Sequence, residues 1–301
     1  MGEKAELKRR WGDRTDGRWV REAPALQTIM GHLFPNRCDN EVYLHDELDI
    51  TDLIPFLEDK NKLHPDYKTT VFHALLFMIL KMINERPKMN YFIQGHRMYE
   101  RNEISAAFIA RRRFTDHSEE ALMFFIPKDE DNIDTLSYRI SGEIHEMRKS
   151  MTATGGIDKV LEDFAKIPRL LLMLIIKIAK WLDFWGVVPK AFRDGNTNYC
   201  SVLLSNLGSV GAPSVYHHLN NYGTNSFMVT IGVIQDAERT MPDGSKQIRK
   251  IVDIGVTLDE RIADGFYFAR SLRLIKHMCN RPEMLDESFI KPSGIDYDAR
   301  N

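Results

Sequence analysis

Cysteine is scarce in this sequence, and the cysteines that occur are far apart. Cys38, Cys200 and Cys279 are the three cysteines among 301 residues, and they form neither a CxxC pair nor a disulfide framework. Small secreted domains carry paired cysteines, so this odd and scattered set is typical of reduced thiols. We therefore expect a cytoplasmic protein with free thiols.

An excess of charge of either sign is also missing. Forty-one lysines and arginines are balanced by forty-three aspartates and glutamates, which leaves a formal net charge of -2. Nucleic-acid-binding domains usually present a strongly basic surface, so this composition predicts no nucleic-acid partner. No apolar run follows the charged first ten residues, and we therefore expect no secretory signal peptide.

Long hydrophobic runs are limited to one stretch. Residues 167–188 are nearly all apolar, but Arg169, Lys177, Lys180 and Asp183 interrupt them. A membrane-spanning helix needs ~20 predominantly apolar residues, and with these charges the segment falls short. We predict a helix buried in the core or in a subunit interface, and the alternative is a helix lying on a membrane surface.

The rest of the chain has the pattern of one globular domain with an irregular start. Residues 1–20 are rich in charge and glycine and lack apolar periodicity, which predicts a flexible arm that needs a partner surface to order. Residues 21–301 contain helical and strand periodicities, and a hydrophobic content of 43% suits one sizeable core.

Helix and strand signals are mixed along this domain. The predicted helices cover residues 24–34, a segment capped by residues 49–52, 68–84, a segment around Glu143 and Met147, the apolar stretch, and a C-terminal segment from Phe266. The predicted strands cover residues 41–50, 91–99, 106–109, 122–126, 199–205, 227–233 and 251–258, with a hairpin turn at 241–245.

Two polar turns follow predicted strands in the final third. Ser205, Asn206 and Gly208 belong to the turn at residues 205–211, where glycines allow positive backbone angles. The acidic loop at residues 259–265 joins a predicted core strand to the C-terminal helix. Loops between core elements often carry catalytic groups, so both turns are candidate sites.

The acidic loop resembles a known catalytic signature. Its sequence, Asp-Glu-Arg-Ile-Ala-Asp-Gly, is similar to the Asp-His-Arg-x-x-Asp-Gly signature of the dihydrolipoamide acyltransferases of 2-oxo acid dehydrogenase complexes. That signature is a version of the HxxxDG motif of chloramphenicol acetyltransferase. Asp264 and Gly265 match it, whereas Glu260 stands where those families have the catalytic histidine.

Other segments resemble the same families in the same order. The run 205–208 is similar to the family's Ser-Asn-Leu/Ile-Gly turn, so the resemblance assigns Ser205 as the donor to the oxyanion, with Asn206 and Gly208 in the same loop. Asn220 lies close to the position of a family asparagine that precedes two prolines, which this sequence lacks. The resemblance runs from about residue 18 to about residue 282.

This resemblance implies an α/β fold of the α+β sandwich type, chloramphenicol acetyltransferase-like, with a central mixed sheet flanked by helices. It implies a homotrimer with inter-subunit active sites, a coenzyme A thioester as co-substrate, and a small-molecule acceptor, with no bound cofactor and no metal. The lipoyl domain usual in the dehydrogenase-complex enzymes is not found in this sequence. We therefore expect a stand-alone core that uses free thioesters or a separate carrier.

Glutamate at position 260 changes the expected chemistry. An ordinary histidine, with a pKa of ~6.5, accepts a proton from a thiol more readily than an ordinary glutamate, with a pKa of ~4.3. A carboxylate also opposes a thiolate that forms beside it. Burial against Phe266 and Phe268 would restore part of the basicity of Glu260, because desolvation favours the protonated carboxyl.

Glu260 also has structural interpretations. The carboxylate could pair with Arg261, Arg270 or the arm and hold a loop that no longer reacts. The histidine pair His217 and His218 could supply the missing imidazole, although such a pair is more often a polar rim.

Other charged residues have expected partners. Asp264 is expected to fix its loop through an arginine, with Arg18 or Arg21 as the partner. Residues 111–113 are three consecutive arginines, which suit either a coenzyme A phosphate or a solvated strand edge.

Two functions from different classes follow. The first is an acyltransferase in which Ser205 stabilises the oxyanion and Glu260 assists a hydroxyl or amine acceptor. The second is a catalytically inactive homologue that keeps the trimer as a binding or scaffold protein.

Overall fold

The computed structural model describes residues 9–111, 120–149, 164 and 166–297. Its strands are β1 Gly17–Trp19, β2 Glu41–Asp49, β3 Tyr91–Gln94, β4 Arg97–Arg101, β5 Ala106–Arg111, β6 Glu120–Phe125, β7 Val202–Asn206, β8 Phe227–Thr240 and β9 Lys246–Asp259. Its helices are α1 Ala25–Leu33, α2 Leu53–Leu63, α3 Val71–Glu85, α4 Ile133–Lys149, α5 Arg169–Phe184, α6 Lys190–Arg193 and α7 Gly265–Asn280.

A six-stranded mixed sheet organises the fold. Its strand order is β2-β9-β8-β7-β5-β6, in which β7 runs parallel to both of its neighbours and the other pairs are antiparallel. One face of the sheet packs against helices and forms the hydrophobic core. The predicted central mixed sheet flanked by helices is confirmed.

Helix α3 lies at the centre of the core. Every residue from His73 to Ile83 is buried, as expected for a helix that is apolar on all sides. Lys81 is the charged exception, and its ammonium group donates a hydrogen bond to the carbonyl oxygen of Ser288 at 3.2 Å. Thr70 caps the start of the helix, because its side chain accepts from the amide of His73.

A second sheet, of order β1-β4-β3, corrects one predicted strand. The alternating run 91–99 was expected to be a single strand, but the chain reverses at Gly95 and His96 and forms the β3–β4 hairpin. Both turn residues have positive φ angles, of 56° and 61°. Paired positive φ angles match the right-handed twist of a two-residue hairpin.

The described part of the N-terminal arm packs against the domain itself. Strand β1 pairs with β4, and Arg14 is buried between the carboxylates of Asp16 and Asp183, at 2.8 Å from each. Burial alone would raise the pKa of Asp16, but the Arg14 guanidinium reverses this and holds that pKa below its ordinary value. Charged residues of the arm, from which flexibility was predicted, thus form a buried network. Residues 1–8 lie outside the described ranges.

Helix α5 confirms the helix predicted in the apolar stretch, but not its burial in the core. Asp183 is its buried residue, whereas Leu170 is 81% exposed and Trp181 is 62% exposed in the single chain. The helix lies on the surface because its inner side is anchored through polar contacts to the arm and the β3–β4 hairpin. Among the described residues, no helix has the length and apolar content needed to cross a membrane.

The crossover between β7 and β8 covers the part of the other sheet face that β8 and β9 form. Residues 212–219, which we name the strap, run in extended form from the end of β7 towards β2. The amide of Val215 donates to Thr230 Oγ1 at 3.1 Å, and the amide of Ser214 donates to Asp253 Oδ2 at 2.7 Å. Gly255 makes this close approach possible, since a Cβ there would overlap the carbonyl oxygen of Val215.

Two glycine substitutions should have opposite effects on the free energy of unfolding. Gly255→Ala should lower the free energy of unfolding by ~1–3 kcal/mol, because the added methyl group must displace the strap backbone. Gly142→Ala is the control: this exposed position in α4 has open space around a built Cβ, so alanine should stabilise by ~0.5–1 kcal/mol. Urea unfolding of both variants measures the difference, and equal stabilisation by both would contradict the packing described.

Candidate functional site

The acidic loop occupies the predicted junction between a core strand and a helix. Strand β9 ends at Asp259 and α7 begins at Gly265. The Asp264 carboxylate accepts from the amide of Tyr267 at 2.8 Å, which caps the first turn of α7. Asp264 therefore has a structural role in holding the loop to the helix.

A buried ion cluster anchors this loop. Asp259 and Arg261 are 0% and 1% exposed, and their side chains form two hydrogen bonds, of 2.8 and 2.6 Å. Arg37 lies beside them, with its Nε at 3.7 Å from Asp259 Oδ2. Burial lowers the pKa of Arg37, and the Asp259 carboxylate opposes that shift. One carboxylate thus faces two guanidinium groups away from water.

Glu260 lies on the exposed side of the same loop. Its amide donates to the carbonyl oxygen of Asn40 at 2.9 Å, while its carboxylate makes no hydrogen bond or ion pair with the described residues. Of the partners considered for this carboxylate, Arg261 is not one, because its side chain turns inwards to Asp259. The burial hypothesised beside Phe266 and Phe268 is not found in the single chain, where Glu260 and Phe266 are exposed.

The arginines expected to hold Asp264 have other positions. Arg21 donates to the carbonyl oxygen of Trp11 at 2.8 Å and lies over the Trp19 ring. Arg18 is in β1, opposite Glu100 of β4. The helix cap replaces the predicted arginine contact in the described structure.

Ser205 lies near the end of β7, on the side of the sheet that faces away from the helices. Val202 and Leu204 point into the core, so the alternation of a strand places Ser205 on the opposite face. The side chain of Asn206 accepts from the amide of Ser209 at 3.2 Å and closes the turn. Gly208 lies so close to the backbone of Gly232 that a side chain would not fit.

Ser205 and Glu260 lie far apart within one chain. Ser205 is aligned with Thr230 of β8, which is aligned with Gly255 of β9, and Glu260 follows five residues later. Strand geometry of ~3.3 Å per residue and ~4.8 Å between strands gives a Cα separation of roughly 19 Å. A single chain therefore does not bring the two predicted catalytic residues into one site.

The strap places the histidine pair near the Glu260 end of the sheet. The amide of Leu219 donates to the carboxylate of Glu41, whose backbone is aligned with Asp259. His217 and His218 precede this contact, are exposed, and stack with ring centroids 4.7 Å apart. Sequence reasoning named the pair but could not place it, because the strap position depends on contacts with distant strands.

Asn220 makes hydrogen bonds that indicate a structural role. Its carbonyl oxygen accepts from Arg37 Nη1 at 2.5 Å, and its side-chain oxygen accepts from the amide of Tyr222 at 3.0 Å. The bond from Arg37 ties the residue just after the strap to the buried ion cluster.

A cleft of about 970 Å³ opens beside Asn206, between the start of α3 and helix α4. Glu143 lines it, and burial raises the pKa of this carboxyl. His73 also lines the cleft, and burial lowers its pKa to about 4. The sequence contained no local signal for this cleft, because its walls come from segments about 70 residues apart. Of the predicted arginine cluster, residues 112 and 113 lie outside the described ranges.

Comparison with known proteins identifies the fold. No protein-family model matches the chain, and no curated protein matches its sequence. The cubic core of the pyruvate dehydrogenase multienzyme complex is similar in structure, with 13% identity over 87% of this chain and 88% of that chain and a TM-score of 0.58. A probable dihydrolipoamide acetyltransferase from Listeria monocytogenes has 14% identity over 91% and 93% of the two chains and a TM-score of 0.57.

Chloramphenicol acetyltransferase has the same architecture, with 13% identity over 87% of this chain and 96% of that chain and a TM-score of 0.50. The chain therefore has the fold of the acyltransferase cores, as the motif resemblance predicted. At these identities the likeness establishes the fold alone.

The adjacent carboxylates of the loop should differ sharply in their contribution to stability. Asp259→Asn leaves Arg261 and Arg37 without a buried counter-charge and should lower the free energy of unfolding by ~3–5 kcal/mol. Glu260→Gln, the same chemical change at an exposed position, should alter it by less than ~0.5 kcal/mol. Chemical denaturation of both variants tests this, and a large loss with Glu260→Gln would contradict its lack of structural partners.

Proposed function

We propose that the chain is an acyltransferase that moves an acyl group from a coenzyme A or carrier thioester to a small-molecule acceptor. The observation that supports the proposal is that the turn with Ser205 and the loop with Glu260 lie at opposite ends of one sheet, in a fold shared with acyltransferase cores. In the proposal, Ser205 and its turn form one half of the site, and the loop with Glu260 forms the other. The proposed assembly is a homotrimer in which neighbouring copies join the two halves.

The exposed face around Ser205 supports an interface at this position. Ile109 of β5 is aligned with Leu122 of β6, and both are exposed although both are large and apolar. β5 lies beside β7, where half-buried Leu203 shares the outward face with Ser205. A second copy seated on this strip would bury apolar surface and could bring its own Glu260 towards Ser205.

The proposed roles follow from the chemistry of acyl transfer. The acceptor attacks the thioester carbonyl, and the developing oxyanion takes a hydrogen bond from the Ser205 hydroxyl. Asn206 and Gly208 hold that hydroxyl by fixing the turn, and Asp264 and Gly265 position the loop. Glu260 accepts the proton lost by the acceptor. The tetrahedral intermediate then collapses with cleavage of the carbon–sulfur bond, and the coenzyme A or carrier sulfur leaves as a thiol with the proton that Glu260 returns. Because a carboxylate opposes a nearby thiolate, an amine or hydroxyl acceptor suits the site better than a thiol.

The similar structures support these roles without assigning them. The Azotobacter vinelandii dihydrolipoamide acetyltransferase, with 14% identity and a TM-score of 0.55, was studied for the catalytic roles of a serine, a histidine and an asparagine. A serine in such a mechanism fits the proposed role of Ser205.

An inactive binding or scaffold protein is the second candidate. Glu260 in place of histidine, with an exposed and unpaired carboxylate among the described residues, is the observation that favours it. The same experiment separates the two functions.

The test measures coenzyme A release from acetyl-coenzyme A with a panel of amine, alcohol and thiol acceptors. Wild type should react with an amine or alcohol. Ser205→Ala should lower kcat/KM by ~10²–10³, and Glu260→Gln by ~10²–10⁴, because they remove the oxyanion donor and the base. The double variant His217→Asn/His218→Asn is the matched control and should stay close to wild type.

Three outcomes decide between the candidates. Loss of activity in both single variants with an intact histidine control supports the acyltransferase. Loss in the histidine variant equal to that of Glu260→Gln would assign proton transfer to the histidine pair instead. If wild type releases no coenzyme A with any acceptor while Glu260→His does, the chain is the inactive homologue.

A further inference from the structure

Helix α5 presents one side to solvent that is both apolar and basic. Steps of 100° per residue place six exposed side chains within about a third of the helix circumference. We name this the α5 face, and its residues are Leu170, Met173, Leu174, Lys177, Lys180 and Trp181.

The opposite side of the helix is fixed to the protein. Leu172, Ile175 and Leu182 are half-buried on this inner side. Asp183 is fully buried, with Oδ1 accepting from Arg14 and Oδ2 accepting from Gln94, both at 2.8 Å. The anchor sets the rotation of the helix, so the α5 face is directed outwards.

The same anchor removes the only acidic group of the helix from its surface. Asp183 is the one acidic residue between Arg169 and Phe184, and it is neutralised inside by Arg14. The charges that remain on the exposed helix are positive, from Arg169, Lys177 and Lys180. The α5 face thus combines large apolar side chains with cations and carries no anion.

The apolar surface continues beyond the helix. Trp185 and Val187 follow α5 and are exposed, and Phe192 of the short helix α6 is also exposed. Lys190, at the start of α6, adds an exposed cation. Exposed tryptophans beside lysines are characteristic of the boundary between lipid acyl chains and headgroups, where indole rings and ammonium groups both find polar partners.

We propose that the α5 face binds the surface of an anionic lipid membrane, with the helix lying in the plane of the interface. Leu170, Leu174 and Trp181 would insert between the headgroups, while Lys177 and Lys180 extend their ammonium groups to lipid phosphates. The proposal rests on charge complementarity and does not depend on the acyl-transfer reaction.

A two-fold contact with a second copy of the chain fits this face less well. A two-fold contact through α5 would bring the lysines of one copy against the same lysines of its partner, with no carboxylate on the face to compensate them. An anionic bilayer supplies a countercharge to each lysine and covers the apolar side chains at the same time.

The experiment is flotation of the full chain with vesicles of phosphatidylcholine, alone or mixed with phosphatidylglycerol. Wild type should float with the anionic vesicles and not with the neutral ones, and rising salt should weaken the association. The variant Lys177→Glu/Lys180→Glu should lose at least about 25-fold in affinity, at roughly fivefold for each lysine removed. Leu170→Ser/Trp181→Ser should also lose binding, although its charge is unchanged.

A matched control changes the same charge elsewhere. Lys62→Glu/Lys246→Glu reverses two exposed lysines on α2 and β9 and should bind like wild type. An equal loss of vesicle binding in this control would show that net charge alone causes the effect, and it would overturn the proposal. Failure of wild type to bind anionic vesicles would also overturn it. A drop in the oligomeric mass of Leu170→Ser/Trp181→Ser, without vesicle binding by wild type, would assign the face to a second copy.

Discussion

The buried contact between Asp259 and Arg261 is the constraint on which the Glu260 end of the molecule depends. Arg261 also donates to the carbonyl oxygen of Phe34 at 2.8 Å, so it ties the end of β9 to the segment after α1. Arg37 joins the same carboxylate to the segment just after the strap, through the carbonyl oxygens of Asn220 and Gly223. Such a cluster is stable only while each charge has its partner, since an unpaired buried charge is costly. The loop is therefore held rigidly while the Glu260 side chain beside it remains exposed.

The loop residues that hold the structure are different from the residue whose carboxylate is proposed to react. Asp259 and Asp264 use their carboxylates inside the fold, in an ion pair and a helix cap. Among the residues that the structure describes, Glu260, between them in sequence, has a structural partner for its backbone amide alone, so within this part of the chain its carboxylate is available to a ligand or a neighbouring chain. The sheet places the Ser205 turn at its other end, which is why the proposed reaction needs two copies of the chain.

Local sequence signals were sufficient for much of the fold and for the site segments. The period of α3, the junction at residues 259–265 and the turn at Ser205 are set by neighbouring residues, and their predictions were confirmed. Partners distant in sequence could not be predicted. Arg14 meets Asp183 across 169 positions, and that contact both orders the arm and turns α5 outwards. Hydrophobic pattern alone does not distinguish an apolar helix that is buried from one that is held on the surface.

The most direct test of the account asks whether Ser205 and Glu260 of different copies meet. The double variant Ser205→Cys/Glu260→Cys would be treated with a short bismaleimide and resolved on a denaturing gel, with each single variant as a control for the native cysteines. The account predicts covalent dimers and trimers in the double variant alone, because residues roughly 19 Å apart in one chain cannot be bridged internally by a short reagent. A gel that shows uncrosslinked chains alone, or a crosslink within one chain, would contradict the account.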